Sequence, residues 1–362
     1  MNKCTLLIDF NWLTISRFSV MMDKFEKSNP DPVIQAAKDE LKETMARSIN
    51  IILNRFPCID NIVIAADGGS WRKSLPIPES LHNITYKGNR EQKVEYDWEA
   101  VFGASNELFK NCMNLGLTCT QFNNIEGDDW IWYWSRRLNA DGVHCIIWSI
   151  DNDLKQLVQR DVNTGALTVW YNDKNGLWID ENLKEPDLSD IDFFMHPTYS
   201  SPILETLKLK SKSSVNYVKP DEIILSKVIC GDSGDNIKSV FRYEKNGRIY
   251  RVSEKEWSKI SNEYNIMSIN ELLNGIQQTA SAIANHKKYK PFKPILSEIE
   301  EMIRYNIKLV YLNESIIPET LLIAMNQQDY KEYDVAYIKS NYKMLLGEDN
   351  NIKNLFESDC PF

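Results

Sequence analysis

Short apolar runs alternate with longer helical patterns through the first part of the chain. The runs at residues 5–10, 61–66, 117–122 and 146–150 have the length of buried strands. Between the first two, residues 33–56 carry apolar side chains at helical spacing up to Pro57. Because these runs are apolar throughout rather than alternating, they are typical of parallel strands covered on both faces. The pattern predicts an α/β fold with a central, mostly parallel sheet.

The later part of the chain is mainly helical by the same criteria. Strand patterns continue at residues 167–171 and 191–195, and residues 200–219 are rich in Ser and Lys, as in a mobile connection. We therefore expect one domain over residues 1–200 and a helical region over residues 201–362. Further helices are predicted near residues 97–114, 130–134, 220–229, 253–261, 268–285, 295–304, 318–326 and 332–346.

Several predicted strands end on a carboxylate. The carboxyl ends of neighbouring parallel strands meet at one edge of a sheet, where α/β proteins bind their ligands. Helix capping is the alternative explanation for each acidic residue taken alone. Three carboxylates within residues 126–129, however, exceed what capping needs. The candidates for one acidic site are Asp9, Asp67, Glu126, Asp128, Asp129, Asp151, Asp153, Asp232 and Asp235.

These nine candidates equal in number the whole net charge of −9. So many carboxylates cannot share a pocket in ionised form unless cations lie among them. Ligand sets made only of oxygen suit Mg²⁺ or Mn²⁺ rather than Zn²⁺. Two such ions about 4 Å apart would activate a water molecule and stabilise the leaving oxygen of a phosphodiester. The acidic set therefore predicts a two-metal hydrolase.

Basic stretches with interspersed aromatic residues are the second feature of the sequence. Residues 71–73, 86–93 and 287–293 are too polar for a core, and solvated loops are the alternative interpretation. Arg and Lys suit phosphate oxygens, and Tyr and Trp suit base stacking. The predicted nucleic-acid contacts are Arg72, Lys73, Lys87, Arg90, Lys93, Lys238, Arg242, Lys287 and Lys288.

The bulk composition of the 362 residues limits the other classes of function. The acidic balance argues against a nucleic-acid partner unless the negative charges are concentrated in one site. The seven cysteines include no Cys-x-x-Cys pair, so we expect reduced thiols in a cytoplasmic protein. No apolar run approaches the roughly 18 residues that span a membrane, and no signal peptide is visible.

The order of these motifs resembles the flap-endonuclease, or 5′-nuclease, family, and within it the T-even-type bacteriophage ribonucleases H. The resemblance covers residues 5–237 and rests on the combination of motifs. They are Ile8-Asp9, Asp67-Gly68 with Trp71-Arg72-Lys73, Tyr86-Lys87-Gly88-Asn89-Arg90, Glu126-Gly127-Asp128-Asp129, Ser149-Ile150-Asp151-Asn152-Asp153 and Gly231-Asp232-Ser233-Gly234-Asp235-Asn236.

The resemblance implies a PIN-like α/β core, a helical arch near residues 80–110 and a C-terminal helix–three-turn–helix element. It implies 5′-to-3′ exonuclease and flap endonuclease activity on DNA and RNA·DNA hybrids, including removal of RNA primers. Asp67, Asp128, Asp151 and Asp153 would lie nearest two Mg²⁺ or Mn²⁺ ions. Lys87 and Arg90 would contact the scissile phosphate. Other implied partners are a single-stranded-DNA-binding protein or a sliding clamp, in the host cytoplasm if the protein is phage-encoded.

One part of the sequence departs from the family pattern. Many members have a Gly-x-Gly turn after the last acidic motif, and residues 238–247 contain none. We expect Lys238, Arg242, Lys245 and the residues of 287–293 to contribute to duplex binding instead.

Two alternative functions remain open from the sequence. One is a PIN-type ribonuclease for single-stranded RNA, although such domains are usually much shorter. The other is a non-catalytic nucleic-acid-binding protein on the same fold. The complete acidic set argues against the second alternative, because like charges without a function cost stability.

Overall fold

The structure, a computed structural model, places the predicted sheet at the centre of the chain. It describes residues 3–28, 34–81, 84–89, 97–174, 176–181, 194 and 215–347. The strands are β1 (Cys4–Asp9), β2 (Asn61–Ala65), β3 (Thr118–Thr120), β4 (His144–Trp148), β5 (Gln159–Arg160), β6 (Leu167–Asn172), β7 (Gly176–Asp180), β8 (Val215–Val218), β9 (Arg242–Lys245) and β10 (Arg248–Arg251).

The helices are amphipathic segments that cover the sheet and form the later part of the chain. They are α1 (Phe10–Ser28), α2 (Ile34–Arg55), α3 (Trp98–Asn114), α4 (Gly127–Ala140), α5 (Pro220–Cys230), α6 (Glu254–Tyr264), α7 (Ile269–Asn274), α8 (Ile276–Asn285), α9 (Leu296–Val310), α10 (Glu319–Asn326) and α11 (Ala336–Ser340). None of these helices is both long and apolar enough to cross a membrane.

Strand order in the large sheet is β3-β2-β1-β4-β6-β7-β8, with β5 paired to β6. Strands β3, β2, β1, β4 and β6 are mutually parallel, and β7 pairs antiparallel with β6. The prediction of an α/β fold with a mostly parallel sheet is confirmed. Because β1 lies between β2 and β4, the residues that follow these three strands meet at one edge of the sheet.

Both faces of the sheet are buried, as the continuous apolar runs predict. Leu6, Ile8 and Ile146 face a core that includes α1, α2 and α3. The alternate residues Leu7 and Ile147 face a second core, to which α4 contributes Trp130 and Trp134. A third core joins helices α5 to α9. Strand and helix periodicity therefore account for the main layers of the molecule.

Several predictions of local structure need correction. Residues 215–218 form β8 within the large sheet, so this end of the stretch at 200–219 is not a loose connection. The helix predicted over residues 268–285 is divided at Gly275, and the last helix is replaced by α11 and a 3₁₀ turn at Tyr342–Leu346. The strand predicted at residues 191–195 lies outside the described residues, apart from Phe194, which is helical and buried.

The predicted arch also needs correction where the structure describes it. From Trp98 onward this stretch is α3, whose Val101, Ala104 and Leu108 pack into the first core. Burial of that apolar face makes it a helix of the core rather than an arch over the site. The rest of the predicted arch lies partly outside the described residues.

The proposed division into residues 1–200 and 201–362 stays a prediction. Two features of the structure cross it. Strand β8 belongs to the large sheet, and Val335, Ile338 and Leu345 of the last segment pack into the first core.

Candidate metal centre and its basic rim

Four aspartates lie at the edge where β1, β2 and β4 end. Asp9 is the last residue of β1, Asp67 follows β2, and Asp151 follows β4. The fourth residue, Asp128, lies in the first turn of α4. Parallel pairing of the three strands, rather than proximity in sequence, brings these carboxylates together.

Asp9 is the deepest of the four, with 8% of its surface exposed. Its Oδ1 accepts a hydrogen bond from the backbone N–H of Trp12 at 3.0 Å, and its Oδ2 accepts one from the Ser149 hydroxyl at 2.7 Å. Burial, together with the charges of Asp67 and Asp151, raises the pKa of Asp9 to about 7. The carboxylate thus lies where a positive charge nearby would stabilise its ionised form.

Asp67 and Asp128 are held close to each other by the start of α4. Asp67 Oδ1 accepts a hydrogen bond from the backbone N–H of Gly127 at 2.6 Å. Although Asp67 is exposed as a residue, its carboxyl group is turned towards the protein, and loss of water there raises its pKa. Burial, then Asp151 and Asp9, also raise the pKa of Asp128. The four aspartates therefore share one region of negative charge.

Glycine is required beside this group of carboxylates. A Cβ atom at Gly68 would lie 1.9 Å from the carbonyl oxygen of Phe122. Only glycine permits this approach of two backbones, which sets the position of the neighbouring Asp67.

A second acidic group surrounds a lysine. Lys227 of α5 forms ion pairs with Asp153 and with Asp232, the latter at 2.5 Å. Asp153 also donates its backbone N–H to Asp151 Oδ1 at 2.8 Å, which links the two groups. Burial and then Asp151 raise the pKa of Asp153 to about 7, although Lys227 acts in the opposite direction. The ammonium group of Lys227 thus occupies the space between two candidate metal ligands.

Asp235 has a different environment from the other acidic candidates. Its backbone carbonyl accepts a hydrogen bond from the N–H of Lys87 at 2.8 Å, and its carboxylate faces the Tyr86 hydroxyl at 3.4 Å. A second bond joins the same turns, from Asn89 Nδ2 to the Ser233 carbonyl at 2.9 Å. The motif around Asp235 therefore helps to fix the turn that carries Lys87.

Asp129 was predicted as a metal ligand, and the structure contradicts this. The residue is completely buried, and the two nitrogens of the Arg72 guanidinium bind its two oxygens at 3.0 and 2.8 Å. Trp71 Nε1 donates to it as well, at 3.1 Å. Its oxygens are engaged inside the protein, so Asp129 has a structural role.

Arg72 was predicted to contact nucleic acid, and this is also wrong. Only 2% of its surface is exposed, and Glu126 Oε2 accepts a further hydrogen bond from it at 2.8 Å. Burial alone would lower the pKa of Arg72, but Asp129 and Glu126 more than offset this and raise it. The polarity of residues 71–73 suggested an exposed segment, but charge pairing allows Trp71 and Arg72 to lie inside.

Lys87 lies at the rim of the acidic group. Its Nζ pairs with Glu126 Oε1 at 2.6 Å and lies 4.9 Å from the centre of the Tyr86 ring. Burial opposes its charge, but Tyr86, Glu126 and Asp128 raise its pKa, so the side chain stays cationic. Because Glu126 binds Arg72 through one oxygen and Lys87 through the other, it links the half-buried Lys87 to the fully buried Arg72.

The remaining predicted nucleic-acid contacts are spread over several elements. Lys73, Arg242, Lys287 and Lys288 are exposed, and Lys288 pairs with Glu256 at 3.1 Å. Lys238 is partly buried and donates to Asn236 Oδ1 at 2.7 Å. Arg90 and Lys93 lie outside the described residues.

Sequence reasoning missed two polar residues of the site. Lys227 was assigned only to a helix, although a lysine in its last turn directly before Gly231-Asp232 was a usable signal. Ser149 was named within a motif but given no role of its own, yet its hydroxyl donates to Asp9 and accepts from the N–H of Asp151 at 3.0 Å.

The carboxylates fit a hard divalent cation in donor type and charge. In their present positions, however, no three His, Cys, Asp or Glu side chains of the described chain converge tightly enough to hold an ion. Asp9, Asp67, Asp128 and Asp151 are the residues that would hold it. Asp153 and Asp232 are paired with Lys227 in this arrangement.

Comparison with known proteins gives an independent result. No family model matches the chain. A 5′-3′ exonuclease of Mycoplasmopsis pulmonis is 23% identical over 313 residues, covering 83% of this chain and 84% of that protein. The chain is therefore similar in sequence to a 5′-3′ exonuclease over most of its length.

Solved structures agree with this relationship at the level of the fold. The bacteriophage T5 D15 protein, crystallised with metal ions, has a TM-score of 0.51 at 15% identity, covering 95% of this chain and 99% of that one. The D155K form of T5 D15 flap endonuclease, in a complex with DNA and metal ions, also has a TM-score of 0.51 at 15% identity, covering 96% and 100%. The 5′-exonuclease fold therefore extends over nearly the whole chain.

Proposed function

We propose that the protein is a divalent-metal-dependent 5′ nuclease that hydrolyses phosphodiester bonds by 5′-to-3′ exonuclease and flap endonuclease cleavage. The observation that carries the proposal is the meeting of Asp9, Asp67, Asp128 and Asp151 beside the cationic Lys87. An acidic pocket suits the metal ions of phosphodiester hydrolysis, and a cation at its rim suits the phosphate. The fold shared with the T5 enzyme supports the same proposal.

The four aspartates would hold Mg²⁺ or Mn²⁺, in a two-ion site if Asp153 and Asp232 take part. Bound ions of this kind supply Lewis-acid activation of water and stabilisation of the leaving oxygen. Lys87 would donate to a non-bridging oxygen of the scissile phosphate, where negative charge develops. Glu126 would orient Lys87 for this contact, and Lys87 together with the buried Arg72 would keep Glu126 ionised.

The finer assignment is to a ribonuclease H of the T-even phage type. We propose that the substrates include RNA·DNA hybrids as well as 5′-flap DNA, so that the enzyme removes RNA primers in replication. A single-stranded-DNA-binding protein or a sliding clamp would recruit it, in the cytoplasm of the host cell if a phage encodes it. The order of the acidic and basic motifs supports this assignment.

Cleavage of a 5′-labelled flap DNA should require a divalent cation. We expect cleavage near the flap junction with Mg²⁺ or Mn²⁺, and none with excess EDTA. A matched RNA·DNA hybrid should also be degraded, whereas single-stranded RNA should be cut slowly. Preference for single-stranded RNA would favour the PIN-type ribonuclease, and binding without any cleavage would favour the non-catalytic alternative.

Replacing Lys87 with alanine should lower the catalytic rate more than it lowers binding. Loss of one group that stabilises transition-state charge costs about 10²–10³-fold in kcat. Single-turnover cleavage and fluorescence anisotropy on the same flap DNA would separate the two effects. The exposed Lys110 of α3, which is not among the predicted nucleic-acid contacts, provides the control variant K110A, which should change neither kcat nor binding. A loss of K87A activity explained wholly by weaker binding would contradict this role.

A further inference from the structure

The β9–β10 hairpin, residues 242–251, carries positive charges in an unusual arrangement. Arg242 lies directly opposite Arg251, and Lys245 lies directly opposite Arg248. Like charges facing each other across two strands destabilise a hairpin. All four side chains belong to exposed residues, and none forms a salt bridge with a described carboxylate. The fold therefore keeps two repelling pairs that it does not neutralise itself.

The two pairs lie on opposite faces of the hairpin. Tyr243 and Tyr250 share a face with Lys245 and Arg248, since side chains alternate along a strand. Both tyrosine rings pack on Phe292, with ring centres 4.7 and 4.6 Å away. This aromatic contact braces the hairpin against the loop that carries Lys287 and Lys288. The Arg242–Arg251 pair is on the face turned away from Phe292.

One member of the arginine pair shares a cleft with the acidic group around Lys227. Arg251 lines a cleft of about 570 Å³ whose other walls include Lys227, Asp232 and Lys255. Burial and the charge of Arg242 both lower the pKa of Lys238, which reflects the closeness of these two cations. Glu244 is on the same face as Arg242, but no salt bridge within 4.0 Å joins it to a described cation. An extended anion that follows this cleft would pass Arg251, which lies directly opposite Arg242 in the hairpin.

We propose that the Arg242–Arg251 pair binds the phosphate backbone of the duplex part of the substrate, directly beside the site of cleavage. A phosphate between the two guanidinium groups would remove their repulsion. Proteins that bind single strands usually offer free aromatic faces for base stacking. Here the face that carries the arginine pair otherwise has only Glu244 and Ile249 and no aromatic ring, which favours a contact with the backbone alone, as in duplex binding. The inference rests on the proposed nuclease function and adds the means of holding its substrate.

Binding measurements on the double variant R242Q/R251Q test the proposal. Fluorescence anisotropy in EDTA would follow a 5′-flap duplex and a single strand of equal length over a range of salt concentrations. We expect duplex affinity to fall on the order of tenfold, and the slope of log affinity against log salt to fall by about 2 in magnitude. Affinity for the single strand should change little. The control K110Q/K331Q removes two exposed cations near α3 and β3 and should leave both substrates unaffected.

Thermal unfolding separates this role from a structural one. Because the variant removes a repelling pair, its melting temperature should equal or exceed that of the wild type. The variant R242K/R251K keeps the charges and should keep the salt slope. If the double Gln variant does not fold, each single variant should lower the slope by about 1.

Three results would overturn the proposal. They are an unchanged duplex affinity and salt slope, an equal loss of affinity for duplex and single strand, or a loss that the Lys variant also shows. A wild-type protein that cleaves no substrate would refute the proposed function alone, because the binding comparison needs no catalysis.

Discussion

The variant D151N should lose cleavage activity by about 10²–10³-fold or more while it still folds and binds flap DNA. Asp151 Oδ1 accepts the N–H of Asp153 and caps the 3₁₀ turn Asn152–Leu157. Asparagine caps as well as aspartate does, so the turn should survive. What the variant loses is one negative charge among four carboxylates. That charge is needed to hold a divalent cation, and without it the activation of water fails.

The same change should stabilise the protein when no metal is present. The charge of Asp151 raises the pKa of Asp9 and Asp128, which shows that these carboxylates repel one another. Removal of one charge relieves that repulsion, so the melting temperature in EDTA should rise. Mg²⁺ should stabilise the wild type and have a smaller effect on D151N, because a ligand stabilises only the state that binds it.

Single-turnover cleavage, anisotropy and thermal unfolding on one preparation would check these outcomes together. The variant D141N is the matched control, because Asp141 is an exposed residue at the end of α4. It should match the wild type in all three measurements. A D151N protein that keeps its cleavage rate would show that Asp151 is not in the metal centre.

The sequence was sufficient for the sheet because burial on both faces leaves a strong local signal. Runs such as Leu6-Leu7-Ile8 can be recognised alone, and parallel pairing then places the following aspartates at one edge. Position along the chain therefore placed Asp9, Asp67 and Asp151 among nine candidates for one edge of the sheet, without separating them from the other six. Strand β8 and the β9–β10 hairpin were missed. Strands β9 and β10 are exposed along most of their length, so they leave no apolar run in the sequence.

The roles of the charged residues within the site were beyond local reasoning. Asp129 and Asp128 are adjacent in sequence, yet α4 turns one into the protein and the other towards the acidic group. An arginine next to a tryptophan gives no local sign of burial, because its partners Glu126 and Asp129 lie more than 50 residues away. These long-range pairs determine which carboxylates bind the protein's own cationic side chains and which remain available to a metal ion.

Replacing Arg72 with methionine should destabilise the protein by about 3–5 kcal/mol, the typical cost of leaving buried charges without their partner. The completely buried Asp129 would lose both of its guanidinium bonds, and Glu126 would lose one. R72K should fall between R72M and the wild type, since lysine keeps the charge but not the fork geometry. Urea unfolding of the three proteins would give the order directly.

A double-mutant cycle identifies which interaction is responsible. D129N removes the buried charge that R72M leaves unpaired, so R72M/D129N should be more stable than the sum of the two single effects predicts. Loss of the Arg72–Glu126 bond should also affect catalysis, because Glu126 binds Lys87 at 2.6 Å through its other oxygen. R72M should therefore lower kcat at a temperature where it is fully folded. Additive free energies in the cycle would contradict the ion-pair account, and a normal kcat would show that Lys87 is positioned independently of Arg72.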